Sequence, residues 1–376
     1  MTQRLAGLAK LFLKLGLTAF GGPAAHIAMM EDEAVVRRKW LTREKFLDLL
    51  GAANLIPGPS STEMAIYIGY TRAGAAGLLL AGLCFILPAM ILVTAIAWAY
   101  VRFGTLLEVS AVFYGIKPVV IAVILQAIWR LGRSAVKSRF LGAVAVIAMA
   151  FSFLGLNVLL VLLGSGLVVA IISGANKWRH TALSILFLGS ASTPVAQGAA
   201  IASFGLWPLF LVFLKVGALL FGSGYVLLAF LNADLVQKLH WMTESQLIDA
   251  VAVGQFTPGP VFTTATFIGY MLGGPTGAIV ATVAIFLPSF VYVAITGPLV
   301  SHIRKSELAA SFLDGVNVGA LALMAAVSWQ LGRASLTGPF TIMIAIISFA
   351  LLIRFKVNST WLIAGGALAG LLNAIF

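Results

Sequence analysis

Residues 55–64 read LIPGPSSTEM, and residues 256–265 read FTPGPVFTTA. Proline lacks a backbone N–H donor and disfavours helix in the residue before it, whereas glycine reaches dihedral angles that other residues avoid. Each Pro-Gly-Pro run therefore predicts a break in a helix. A helix that begins after such a break has free N–H groups, and together with nearby hydroxyls these predict an anion site. The alternative is a kink that only lets helices pack closely.

The chain around the two breaks is too apolar for a water-soluble globule. Of its 376 residues, 61% are hydrophobic and 10% are charged, against about 25% charged residues in a typical soluble domain. The single cysteine excludes a disulfide framework and a Cys-based zinc site, and the HExxH, Walker and GxSxG motifs are absent from the sequence. We therefore expect an integral membrane protein that is not an enzyme and needs no metal or cofactor. An intramembrane enzyme is the remaining alternative in another class.

Apolar stretches long enough to cross a bilayer, which needs about 20 helical residues, recur along the chain. Together with two shorter helices, a weaker linking segment and the two broken elements, they predict an all-α polytopic membrane protein with about thirteen embedded segments. Strands are not expected, because the runs are too long for ten-residue alternation. The predicted segments are 5–20, 43–71, 74–101, 109–130, 140–154, 157–174, 182–204, 207–222, 244–271, 276–301, 309–330, 339–353 and 359–375.

The two halves of the chain repeat each other at an offset of 201 and later 200 residues. Because the chain has only eight tryptophans, two Trp coincidences in one register exceed what a shared apolar bias produces. We predict a first repeat over 1–180, a linking transmembrane segment over 181–205 and a second repeat over 206–376. The aligned pairs include Lys14 with Lys215, Trp40 with Trp241, Pro57-Gly58-Pro59 with Pro258-Gly259-Pro260, and Trp129 with Trp329.

The basic residues predict how the two repeats are inserted. The formal net charge is +12, and the loop predicted at 130–139 holds four basic residues where its counterpart keeps only Arg333. Conversely, the turn at 154–157 is uncharged, whereas its counterpart carries Arg354 and Lys356. Positive residues accumulate in cytoplasmic loops, so we expect two inverted-topology repeats in the cell inner membrane. The N-terminus is then cytoplasmic and the C-terminus extracytoplasmic, and nucleic acid is not needed to explain the charge.

Lys14 and Lys215 occupy equivalent positions in otherwise apolar helices. A lysine near the bilayer centre costs about 2.5–3.5 kcal/mol on insertion scales, so an unpaired lysine without a role is not expected there. Two lysines brought together by a pseudo-two-fold axis would complement a dianion. The alternative is that each lysine snorkels to the interface.

Three residues break the symmetry of the repeat. Glu63 aligns with Thr263 or Thr264, and it is either a proton-coupling group or a cap of its helix. His26 has no matching histidine, and it is either a second proton-coupling candidate or a structural residue. Lys117 aligns with Asn317 and either lines a pathway or faces lipid.

These motifs resemble those of the chromate ion transporter family over essentially the whole chain. They are Phe20-Gly21-Gly22-Pro23 with His26, the charged loop ending at Trp40-Leu41, the two Pro-Gly-Pro runs and Trp129…Gly132-Arg133. The resemblance implies a secondary-active transporter that exports chromate, confers chromate resistance and has sulfate as its isosteric competitor. A sulfate or other anion importer is the alternative, and a homodimer and the coupling ion stay open.

Inverted repeats with broken helices are the architecture of alternating-access transporters. The expected substrate-binding residues are the two equivalent lysines, the central glycine of each break and the hydroxyls after it. These residues are Lys14, Lys215, Gly58, Ser60, Ser61, Thr62, Gly259, Thr263 and Thr264.

Overall fold

The computed structural model describes residues 1–104, 106–175, 204–221, 224–299 and 307–375. Within these ranges every regular element is a helix, which confirms the predicted all-α class. Nearly all of the predicted linking segment, 182–203, lies outside the described residues. In chain order the helices are α1 Thr2–Thr18, α2 Gly22–Glu31, α3 Arg43–Ala53, α4 Ser60–Phe103, α5 Leu107–Ala135, α6 Arg139–Phe153, α7 Val158–Ala175, α8 Leu206–Leu219, α9 Leu227–Leu231, α10 Glu244–Phe256, α11 Thr264–Thr296, α12 Glu307–Ser335, α13 Pro339–Arg354 and α14 Ser359–Ile375.

Within the described part of the chain, four helical stretches are long and apolar enough to cross a membrane by length and composition. They are consistent with a helical membrane protein. The stretches are Ser60–Phe103, Leu107–Ala135, Val261–Thr296 and Ala310–Ser335.

One predicted loop is shorter than expected. The sequence predicts a loop over 130–139, but α5 continues to Ala135, so Arg130 is a helical residue. The reason is that Ala127, Leu131 and Ala135 continue the apolar face of α5 at a spacing of four residues.

The long helices α4 and α11 each contain a sharp turn. Their backbone leaves the helical region at Ala73-Gly74 and at Gly273-Gly274. Gly69 directly approaches the backbone of Gly77, whereas in a straight helix residues eight apart are separated by about 12 Å. Each helix is therefore a hairpin with a short arm next to the break and a long arm that can span the membrane. Glycines at the contact let the two arms approach closely.

Among the described residues, the seven α-helices of the first repeat correspond one to one with those of the second, and the repeats interlock. Helix α5 packs against α13 and α14, and its equivalent α12 packs against α6 and α7. Gly115 of α5 meets the backbone of Gly366, and the equivalent Gly315 of α12 meets the backbone of Ser165. The last helices of each repeat therefore cover the middle of the other repeat. Whether the repeats are inserted in opposite directions stays a prediction.

The packing divides the helices into two groups. In the break group (α1–α4 and α8–α11), α1 packs on α4, α4 on α11, and α11 on α8. The bundle group (α5–α7 and α12–α14) contains the interlocked helices. The two groups meet along α5, α10 and α12, and a cavity lies between them.

Candidate functional site

Each break is hydrogen-bonded to the opposite repeat. The N–H of Gly58 donates to the carbonyl of Leu220 at 2.7 Å, and the N–H of Gly259 donates to the carbonyl of Ala19 at 2.9 Å. Gly58 has a φ of +135° and Gly259 a φ of +92°, a region that L side chains rarely adopt. The breaks therefore meet at the centre of the molecule, and the N–H groups of both predicted glycines already have protein partners.

A central cavity of about 690 Å³ lies between the break group and the bundle group. This volume is typical of small-molecule sites, which span about 300–1,000 Å³. Equivalent residues of both repeats line the cavity. The equivalent pairs on its wall are Pro23 with Gly224, Ser60 with Val261, and Ser61 with Phe262.

The first repeat supplies the hydroxyls on the cavity wall. Ser60 and Ser61 form the first turn of α4, an end that no side chain caps, and both line the cavity. The N–H groups of Thr62 and Glu63 are bonded to the carbonyl of Pro59 at 2.8 and 3.0 Å. The donors that α4 presents nearest the cavity are therefore those of its two serines.

The three predicted threonines do not line the cavity. Thr263 and Thr264 donate their hydroxyls to the carbonyls of Pro260 and Val261, each at 2.8 Å, so these hydroxyls stabilise their own turn. Thr62 is fully buried, and its Oγ1 has no partner among the described residues.

The two predicted lysines each form an ion pair within their own repeat. Lys14 binds Glu33 at 2.7 Å, and Lys215 binds Asp234. Arg38 also binds Glu33 at 3.1 Å. The hydrogen bond from Lys14, together with the positive charges of Lys14 and Arg38, lowers the pKa of the Glu33 carboxyl despite its burial.

The two lysines lie apart from the serines. Neither Lys14 nor Lys215 lines the central cavity; Lys215 and Asp234 line a second cavity of about 420 Å³. Sequence reasoning missed Glu33 and Asp234 as lysine partners. The available signal was their spacing, since they repeat an acidic residue at the same offset of 201 as the two lysines.

Glu63 is fully buried where the repeats meet. The hydroxyl of Ser289, in the second repeat, donates to its Oε1 at a long distance of 3.4 Å, and its Oε2 has no partner among the described residues. At the same offset of 201 as the two breaks, the second repeat has Thr264, and opposite Ser289, at an offset of 200, the first repeat has Ala89. The carboxyl group therefore occurs in the first repeat only.

His26 lies where the second break is hydrogen-bonded to the first repeat. Its Nε2 lies 3.1 Å from the Ala19 carbonyl, which also accepts the N–H of Gly259. The buried ring packs edge-on against Phe85 at 5.7 Å between ring centres. These contacts describe a residue that holds the crossing of the two repeats.

Lys117 faces protein rather than lipid. Its Nζ donates to Ser245 Oγ at 2.6 Å and lies 3.4 Å from a carboxylate oxygen of Asp249, both in α10 of the second repeat. Tyr100 donates to the other Asp249 oxygen at 2.9 Å. This cluster, in which Asp249 is buried, joins the bundle group to the break group.

A family model described as chromate transporter matches the chain twice, over residues 6–170 and 207–371. The chromate transport protein of Cupriavidus metallidurans is 34% identical over 98% of this chain and 93% of that protein. The chromate transport protein of Pseudomonas aeruginosa is 33% identical over 96% of this chain and 90% of that protein. A probable chromate transport protein of Synechococcus elongatus is 34% identical over 92% and 88% of the two chains. No solved structure matches the chain significantly.

Proposed function

The chain belongs to the chromate transporter family, and from this premise we propose that it exports chromate from the cytoplasm as a secondary-active transporter of the inner membrane. The central cavity carries the proposal. It lies where two broken helices meet, and the hydroxyls of Ser60 and Ser61 line it at the start of α4. A helix N-terminus with hydroxyl donors favours an oxyanion such as chromate, a tetrahedral dianion.

The ion pairs suggest how Lys14 and Lys215 take part. Each lysine holds a carboxylate, Glu33 or Asp234, and a carboxylate presents the same kind of oxygens as the substrate. We propose that the dianion replaces these carboxylates as the lysine partner during transport. Gly58, Gly259 and the buried threonines then shape the breaks, which must rearrange when the substrate moves.

Export against a gradient needs a driving ion, and Glu63 is the proposed proton carrier. A carboxyl group that is fully buried with one oxygen unpartnered is stable when protonated and costly when charged. Movement of the repeats would open Glu63 to one side of the membrane at a time. His26 is the weaker candidate for this role, because its contacts describe a structural residue.

Alternating access follows if the repeats are inverted. Two halves of opposite orientation can exchange conformations, which opens the site to each side in turn. A reporter fused after residue 376 tests the orientation. We expect it to lie outside the cytoplasm, and a cytoplasmic signal would contradict the inverted arrangement.

The main alternative is an importer of sulfate or another anion, because sulfate shares the shape and charge of chromate. Inside-out vesicles containing the protein separate the two functions. We expect them to accumulate labelled chromate, faster with a proton gradient and more slowly with excess sulfate. Vesicles that accumulate sulfate but not chromate would favour the importer, and vesicles that accumulate neither would favour a non-transporting protein such as an intramembrane enzyme.

A double variant, Ser60→Ala with Ser61→Ala, connects transport to the cavity. We expect it to reduce the initial rate of chromate uptake at least tenfold, since the two hydroxyl donors at the start of α4 are lost. Ser110→Ala is the matched control, because that exposed serine bonds to the carbonyl of Gly104 and does not line the cavity.

A further inference from the structure

The two basic residues that line the central cavity differ in whether they form an ion pair. Lys137 forms an ion pair with Asp314 at 2.7 Å, and both of these residues line the cavity. Arg130 also lines the cavity, and among the described residues no acidic side chain pairs with it. The charges of Lys137 and Asp314 cancel, so Arg130 leaves the wall with one net positive charge.

The residue at the equivalent position of the second repeat has hydrogen-bond partners within the protein. Gln330 occupies it and lines the second cavity rather than the central one. Its side-chain oxygen accepts hydrogen bonds from Asn232 at 3.0 Å and from Gln237 at 3.1 Å. Gln330 therefore has its partners within its own repeat, whereas the guanidinium of Arg130 is available to a ligand.

We propose that Arg130 captures the tetrahedral dianion in the central cavity, an inference that rests on the proposed function. A guanidinium presents parallel N–H donors that match two oxygens of an oxyanion, which the point charge of a lysine does not. Ser60 and Ser61 supply hydroxyls to the same cavity, and Ser61 is only 2% exposed. Arg130 was not among the residues expected from the sequence, because the pattern places it in a basic cytoplasmic loop.

Arg130 would also favour the binding of dianions over monovalent anions. An ion with two charges gains more from one net positive charge than an ion with one charge does. The pair formed by Lys137 and Asp314 adds little net attraction, and the Asp314 carboxylate opposes any anion that approaches without the arginine. Loss of Arg130 is thus expected to weaken dianion binding more than the binding of a monovalent anion such as nitrate.

The test compares three variants of the purified full-length protein in detergent, with labelled chromate as the probe. Arg130→Gln introduces the residue that the second repeat has at this position, and we expect it to weaken chromate binding at least tenfold. Arg130→Lys keeps the charge without the paired donors, and we expect an intermediate loss. Arg133→Gln is the control, because Arg133 lies over the ring of Trp129 at 5.1 Å and does not line the cavity; it is expected to bind as wild type.

The outcomes separate this inference from the proposed function. Wild-type affinity in Arg130→Gln, or an equal loss in Arg133→Gln, would overturn the role of Arg130 even where vesicles transport chromate. Weakened chromate binding in Arg130→Gln alone supports the role of Arg130, whether or not wild-type vesicles transport chromate. Wild-type vesicles that transport nothing would overturn only the proposed function. A purified wild-type protein that binds neither chromate nor sulfate would overturn the inference as well.

Discussion

The first and second repeats share their framework but differ at the centre of the molecule. Both contain a break bonded to the opposite repeat, a hairpin turn at a glycine and a lysine paired with an acid. At the first break and on the central cavity, the first repeat has a hydroxyl or a charge where the second repeat has an apolar or an uncharged residue. These are Ser60 against Val261, Ser61 against Phe262, Glu63 against Thr264 and Arg130 against Gln330.

The comparison separates the duplicated contacts of the framework from the side chains that only one repeat supplies. Bonds that occur twice hold the two repeats in register, so they contribute to the fold whichever repeat binds the substrate. The unshared side chains compared above lie on the cavity or where the repeats cross. We therefore expect substitutions of the shared glycines to reduce stability and substitutions of these unshared side chains to change binding or coupling, while the shared lysines serve both stability and transport.

The largest expected difference between the repeats concerns the two ion pairs. Lys215→Ala leaves Asp234 buried without its lysine, while Lys14→Ala leaves Glu33 bound to Arg38. We expect both variants to abolish chromate transport, and Lys215→Ala to lose additional stability of up to about 3 kcal/mol, an amount limited by solvent screening of the half-exposed lysine. Thermal aggregation of the detergent-solubilised variants measures this loss. Adding Asp234→Asn should recover stability in the Lys215→Ala background, and wild-type transport by both single variants would contradict the role of the lysines.

The next largest difference is expected between the central glycines of the two breaks, in how much their substitution destabilises the protein. An added Cβ at Gly259 would lie 2.6 Å from Ala89 Cβ, whose position the backbone determines, whereas at Gly58 it would meet the ends of the Glu63 and Ser289 side chains, which can turn away. We expect Gly259→Ala to destabilise more than Gly58→Ala, each with about 1–3 kcal/mol of backbone strain. Melting temperatures of both variants measure the difference. Adding Ala89→Gly should recover part of the loss in Gly259→Ala and none in Gly58→Ala.

Glu63 and Thr264 provide a comparison that tests coupling rather than stability. Glu63→Gln keeps the size and hydrogen bonding of the side chain but removes its proton exchange. We expect chromate uptake into inside-out vesicles to lose its response to a proton gradient, while the rate without a gradient stays within about threefold of wild type. Thr264→Val, the equivalent change in the second repeat, should keep the response. An unchanged gradient response in Glu63→Gln would exclude this residue as the proton carrier.

The smallest effect is expected at His26, whose equivalent is Leu227. Replacing His26 with leucine removes one hydrogen bond to the Ala19 carbonyl but keeps the hydrogen bond that the N–H of Gly259 donates to the same oxygen. We expect a loss of about 1 kcal/mol in stability and an unchanged proton dependence of transport. A pH profile of uptake that shifts in His26→Leu would instead identify this histidine as a titrating group of the transport cycle.

Much of the fold was predictable, because it depends on local patterns. The length of the apolar runs, the two Pro-Gly-Pro breaks and the offset of 201 between the halves all predict elements that the structure contains. The capping box from Thr243 to Gln246 is present as its sequence pattern indicates. Helix ends were less predictable, since α5 and α12 continue past the apolar runs into residues that the pattern placed in loops.

The candidate site was predictable only in part. Sequence alone identified the two breaks, the serines after the first break and the two unusual lysines, because each of these is a local departure from an apolar helix. Only the tertiary structure paired the lysines with Glu33 and Asp234 and brought Ser60, Ser61 and Arg130 to one cavity. The physical reason is that a contact depends on which segments meet. The lysine pairs form between segments of one repeat, whereas the cavity forms between helices that interlock across the two repeats, and no pattern within one segment encodes either meeting.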